Sequence, residues 1–111
     1  MSMEKKVLTL SVKKEWFDLI SAGEKKEEYR EIKEYWLGRL FNFVPVPFAK
    51  YVFDDVSISP KPFTHVLFVN GYGDDKPRVE KEIEWIGIDR PRKGWCPDEF
   101  LGKEFFVIRF K

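Results

Sequence analysis

Apolar and polar positions alternate over residues 6–12, with Leu8, Leu10 and Val12 on one side and Thr9 and Ser11 on the other. A period of two predicts a half-buried first strand. The period then changes. Trp16, Phe17, Leu19 and Ile20 form the face of a helix over 13–22. Ser11 is a candidate N-cap, and Gly23 suits the position past the helix end where φ turns positive. Ile32, Trp36 and Leu40 repeat every four residues beside Leu37 and Phe41, which predicts a second helix over 33–41.

The pattern is weakest over 42–62. Pro45, Pro47, Pro60 and Pro62 break regular structure, while Phe41, Phe43, Phe48, Tyr51 and Phe53 keep the segment sticky. Val56 and Ile58 alternate with Asp55 and Ser57, so a short strand is read near 52–58. The segment as a whole reads as an ordered wrap or, more sharply, as a lid facing a substrate. The continuous run Val66, Leu67, Phe68 and Val69 marks a buried strand over 63–70, and 71–75 is a turn. A long strand follows over 78–89. Val79, Ile83 and Trp85 take one face and Glu80, Glu82 and Glu84 the other, with Gly87 marking a bulge. After a loop at 90–97, the last strand over 103–111 sets Glu104, Phe106, Ile108 and Phe110 opposite Phe105, Val107 and Arg109. These elements predict one α+β domain covering 1–111.

Composition narrows the functional classes. A chain of 111 residues supports one modest core. Eleven Phe and four Trp must pack or offer stacking surfaces. Twenty basic against nineteen acidic residues leave a net charge of +1. That balance argues against counterion-driven binding of long nucleic acid and allows a local pocket for a nucleotide or short single strand. Cys96 stands alone, which excludes an intramolecular disulfide and a Cys-rich zinc site, and His65 alone removes His clusters. No metal or cofactor is expected. The start of the chain has no apolar leader core, and no apolar run nears ~18 residues. The expectation is a cytoplasmic protein with no membrane partner.

The candidate chemistry lies in Gly23-Glu24-Lys25-Lys26-Glu27-Glu28-Tyr29-Arg30, where six of eight residues are charged between two amphipathic segments. Lys25, Glu28 and Arg30 are read as lining a cleft. The bland alternative is a charged edge strand with surface ion pairs worth ~0–1 kcal/mol each. Glu28 and Arg30 share a face of a pleated strand. Lys25 has the opposite parity and joins them only from a turn or across a bulge. Arg30 offers a planar fork to a phosphate, a carboxylate or a base edge. Glu28 accepts from an exocyclic amine, and Lys25 with Glu28 forms an acid–base pair if the lysine is desolvated. Tyr29, Trp36 and Trp95 are candidate stacking faces. Arg39 either reaches back toward the motif or lies on solvated helix surface. Arg90, Arg92 and Lys93 beside Trp95 combine phosphate contact with a stacking surface, as single-stranded nucleic acid requires. The alternative there is a surface loop with Trp95 tucked against the sheet. Gly71 and Gly73 lack the following Lys-Ser/Thr helix of a phosphate loop.

The spacing Gly23-x-Lys25-x-x-Glu28-x-Arg30, continued by Glu31-Ile32-Lys33-Glu34-Tyr35-Trp36, resembles the GxKxxExR signature of the ASCH domain family, in particular its small phage- or prophage-borne members. The resemblance covers the whole chain. It implies a PUA-like, mixed and mostly antiparallel β-barrel with two short helices, and links to RNA binding. One branch of that family hydrolyses N4-acetylcytidine with a lysine, a threonine three residues later and a glutamate from a later strand; other relatives are associated with ribonuclease activity. Lys25 matches the lysine, but Glu28 occupies the threonine position, which breaks with that mechanism. The expected function is therefore binding of RNA, a nucleotide or a modified nucleoside by Lys25, Glu28, Tyr29, Arg30, Trp36, Arg39 and Trp95. The enzyme alternative is a hydrolase acting on a modified nucleoside or RNA through Lys25, Glu28 and one of Glu80, Glu82 and Glu84, with Glu82 the first choice. A third alternative is a protein adaptor using the aromatic 41–53 stretch.

Overall fold

The computed structural model describes residues 4–53 and 55–111. Its elements in chain order are β1 (Val7–Val12), α1 (Lys14–Ser21), β2 (Glu27–Arg30), α2 (Glu34–Leu40), β3 (Phe41–Phe43), β4 (Tyr51–Phe53), β5 (Val56–Pro60), β6 (His65–Asn70), β7 (Arg78–Asp89) and β8 (Phe105–Phe110). Short 3-10 turns occupy Val46–Phe48 and Asp98–Phe100. The protein is an α+β fold with a five-stranded and a three-stranded sheet.

The large sheet runs β1-β6-β7-β8-β2, with β1 parallel to β6 and the other pairs antiparallel. It is open, where a closed barrel was expected: β1 and β2 are its two edges, and no backbone ladder joins them among the described residues. Guanidinium groups meet the β1 edge instead. Arg30 Nη2 donates to Ser11 O at 3.0 Å and Arg39 Nη2 to Thr9 O at 3.3 Å. Covering edge carbonyls with charged side chains blunts an edge that would otherwise pair with another chain.

Sheet and helices bury their apolar positions in two clusters. Leu8, Leu10 and Val12 of β1, Phe17 and Ile20 of α1, and Phe106, Ile108 and Phe110 of β8 join the main core. Phe105 and Val107, on the other face of β8, pack with Tyr29 and Cys96 under Trp85, Trp95, Phe100 and Leu101. β8 is thus covered on both faces, which explains its almost unbroken apolar run.

Several local expectations are corrected. Ser11 does not cap α1; it stays in β1, where its Oγ donates to Gly71 O at 3.1 Å, and the cap residue is Lys13 without a side-chain bond. Gly23 does end the helix, at φ +78°. The expected second helix stops at Leu40, because Phe41 turns extended and enters β3, where its ring meets Phe106 at 5.1 Å. The bulge in β7 falls between Ile83 and Trp85, not at Gly87. This shift moves Trp85 to the outer cluster while Val79, Ile83, Ile86 and Ile88 stay with the main core. Gly87 serves close approach instead: a Cβ there would lie 2.2 Å from the Trp85 ring and 2.3 Å from the Tyr51 hydroxyl.

The 42–62 segment is built as a small sheet, β3-β5-β4. Ile58 and Phe41 anchor it in the core, while Phe43, Val46, Phe48 and Val52 point outward at 65–73% exposure. None of its described residues borders the cleft described below, so the lid reading is overturned.

Candidate functional site

The turn after α1 delivers Lys25. Glu24 N and Lys25 N both donate to Leu19 O, at 2.9 and 3.1 Å, which closes the helix and aims the lysine inward. Lys25 thus lies before β2, and this resolves the parity conflict of the motif. Its side chain is completely buried. Nζ donates to Trp95 O, pairs with Glu28 Oε1 at 3.3 Å, and lies 4.7 Å from the Tyr29 ring centre and 5.3 Å from that of Trp16. Burial pulls the ammonium pKa down, and Glu28 opposes that shift.

Glu28 and Arg30 share one face of β2, as their spacing predicts. Arg30 Nη1 donates to Glu28 Oε2 at 2.6 Å and to Tyr29 O at 2.8 Å. Each oxygen of the buried Glu28 carboxylate therefore faces a cation, and the three side chains converge. Both oxygens of Glu28 are thus satisfied, and a buried carboxylate without any partner would be strongly disfavoured.

Glu28 and Arg30 border a cleft of about 740 Å³, whereas Lys25, expected to line it, is buried and does not border it. The floor and walls of the cleft come from the end of β1, the start of α1, β2, α2, the 71–74 turn and residues 95–97 with Phe100. The α2 wall is aromatic and cationic. The guanidinium carbons of Arg30 and Arg39 lie 5.1 and 5.4 Å from the Trp36 ring centre. Tyr35 meets Trp36 edge-on at 4.9 Å and accepts a bond from Arg39 Nη1 at 3.1 Å. Arg39 therefore borders the cleft, but its partners are Thr9, Tyr35 and Trp36, none of them in the 23–30 motif. Trp95, Trp16, Tyr72 and Arg78 border the same space.

Other sequence candidates are placed differently. Tyr29 borders the cleft, but its ring is only 4% exposed and packs beneath Lys25, so it supports the floor and offers no free stacking face. Its hydroxyl turns to the opposite side of β2, donating to Glu27 Oε1 at 2.9 Å and accepting from Arg92 N at 3.1 Å. Burial raises the phenol pKa, and the bond from Arg92 N opposes that. Glu82 lies outside the cleft, exposed and paired with Lys111 Nζ at 3.2 Å. Glu80 pairs with Lys5 at 2.6 Å, and Glu84 borders a separate groove. The physical reason is topological: β8 separates β7 from β2, and the carboxylates of β7 stand on its solvent side. Glu28, Glu31 and Asp74 are the carboxylates that border the cleft among the described residues.

Sequence reasoning missed Glu27. It is 2% exposed and receives Arg109 Nε at 2.7 Å, with Arg92 Nε at 3.5 Å. Alternation with Tyr29 was the available signal, since both must face away from Glu28. Cys96 borders the cleft, but burial raises its thiol pKa and Sγ donates to Arg92 O at 3.6 Å, so it is a poor nucleophile. Among the described residues no group of three or more His, Cys, Asp and Glu stands together in a way that suits a metal ion, and no helix is long and apolar enough to cross a membrane. Comparison with protein-family models, curated proteins and solved structures finds no match.

Proposed function

We propose that the cleft binds a nucleotide or modified nucleoside, free or as part of RNA, and that the chain is an ASCH-like, PUA-related domain. The observation that carries the reading is Trp36 with the guanidinium groups of Arg30 and Arg39 over its ring, above a fixed Glu28 carboxylate. A planar, partly anionic guest needs such a set. Its base stacks against the wall of indole and guanidinium planes, its phosphate meets Arg39, and its exocyclic amine donates to Glu28. The volume of about 740 Å³ falls within the ~300–1,000 Å³ of small-ligand sites. Because Glu28 is held by two cations before any guest arrives, little ordering cost remains at binding. The PUA-related part of the proposal rests on the GxKxxExR spacing and on a mixed sheet whose two edges are spanned by Arg30.

A hydrolytic version of the same reading rests on Glu28 alone, as the carboxylate beside a desolvated lysine. The test of binding is calorimetric titration with a panel of nucleosides and nucleoside monophosphates. Saturable binding is expected, weakened by Trp36→Ala about 5- to 100-fold, the range for one lost stacking contact of ~1–3 kcal/mol. No saturable binding by any member of the panel refutes the proposal. For hydrolysis, turnover of an N4-acylated cytidine abolished by Glu28→Gln is the expected result, and no turnover removes that version.

A further inference from the structure

Trp95 borders two depressions. On one side is the cleft; on the other is a shallower groove of about 470 Å³ on the outer face of β2 and β8. Lys26, Arg92, Arg109 and Lys111 line that groove, with Glu27 and Glu84. Glu27 is buried and engaged by Arg109, Arg92 and Tyr29, and it offsets part of the charge of the two arginines. Two of the cations are held on indole faces. The Arg109 guanidinium carbon lies 4.7 Å from the Trp85 ring centre and that of Arg92 5.4 Å from Trp95. Both retain exposed surface, 34% for Arg109 and 63% for Arg92. Four cations against Glu27 and Glu84 leave the lining with two positive charges in excess, in a chain whose net charge is +1, although Lys111 also pairs with Glu82.

We propose that this groove holds the phosphate backbone of a single-stranded oligonucleotide that crosses Trp95 and places one nucleotide in the cleft. The inference rests on the nucleotide reading of the cleft and names its ligand class: a strand, not a free nucleoside. A positively charged track interleaved with aromatic rings is what non-specific single-strand contact requires. Trp95 is the hinge of the proposal, because it lines both sites and its carbonyl is held by the buried Lys25.

The test is fluorescence anisotropy with a single-stranded RNA of about eight nucleotides, within the ~4–16 nucleotide span of comparable sites, against a mononucleotide competitor. The octamer is expected to bind at least about tenfold tighter than the mononucleotide at low salt. Lys26→Gln/Lys111→Gln is expected to lower the slope of log K against log salt by about 1.4, two phosphates at ~0.7 each, and to leave mononucleotide affinity unchanged. Arg92 touches both Glu27 and the Trp95 ring, so Lys26→Gln/Arg92→Gln serves as a second pair read for octamer affinity only, and thermal melts report whether each variant is folded. Equal affinity for octamer and mononucleotide overturns the strand and leaves the cleft reading intact. So does octamer affinity unchanged in both folded variants, or equal competition by an acidic peptide. Octamer binding that ignores Trp36→Ala overturns the cleft reading instead, and no binding of either probe removes both.

Discussion

Arg30→Met tests whether one side chain ties the two edges of the large sheet together. The substitution keeps the aliphatic stem and removes the fork. Three hydrogen bonds disappear: to Glu28 Oε2 at 2.6 Å, to Tyr29 O at 2.8 Å and to Ser11 O at 3.0 Å. A charged hydrogen bond contributes about 1.5–3 kcal/mol and a neutral one about 0.5–1.5 kcal/mol. Leaving a buried charge with no partner costs about 3–5 kcal/mol, but Glu28 keeps Lys25 at 3.3 Å. With the carboxylate bond at the charged value and the two carbonyl bonds at the lower one, the expected loss is about 2.5–6 kcal/mol, a large part of the ~5–15 kcal/mol that holds a domain folded. Urea unfolding reads it as a lower midpoint at unchanged slope. Arg30→Lys retains a cation near Glu28 without the planar fork and should recover about half of the loss, by the same per-bond values. An Arg30→Met protein within about 0.5 kcal/mol of wild type, the scatter of ordinary surface changes, would show that the β1–β2 junction does not depend on Arg30.

Gly87→Ala should destabilise by about 1–3 kcal/mol, since the added methyl group meets the Trp85 ring and the Tyr51 hydroxyl; a neutral result in thermal melts would mean that both rings move aside freely. Lys25→Met addresses pH dependence. The folded-state pKa of Lys25 lies below its ordinary 10.5, so between that lowered value and 10.5 the unfolded chain binds the extra proton and stability rises with pH. Below that window both states are protonated, and the folded state bears a buried charge. The stability of wild type relative to Lys25→Met should therefore improve from pH 7 toward pH 10.5, measured by urea unfolding; a difference that stays flat or falls contradicts the burial account.

Elements with a strong local period were readable from the chain. β1 follows Leu8, Leu10 and Val12, and α1 follows Phe17 and Ile20, because burying one face dictates the spacing. The convergence of Lys25, Glu28 and Arg30 was also legible once Lys25 was assigned to the turn. The small sheet was not. β3 and β4 are three residues each, too short to carry a period, and four prolines obscure the region. Phe41 looks like the end of a helical stripe, but it pairs with Pro60 in β3 and packs on Tyr51 and Phe106, contacts remote in sequence. Trp85 was assigned to the wrong face because a bulge at 84 leaves no mark on a run of alternating Glu and apolar residues. Glu27 looks like any solvated charge, since its partner Arg109 lies 82 positions away. Whether a sheet closes depends on how its two edges meet, which no local pattern encodes.

The most direct test of the cleft as a nucleotide site uses the four tryptophans as reporters. Trp16, Trp36 and Trp95 border the cleft, and Trp85 lies on the outer face over β8. Titration with a nucleoside monophosphate, followed by the indole N–H resonances, should shift Trp36 and Trp95 along a saturable curve and leave Trp85 in place. Movement of Trp85 alone, or no movement of Trp36 at saturating ligand, would contradict the assignment.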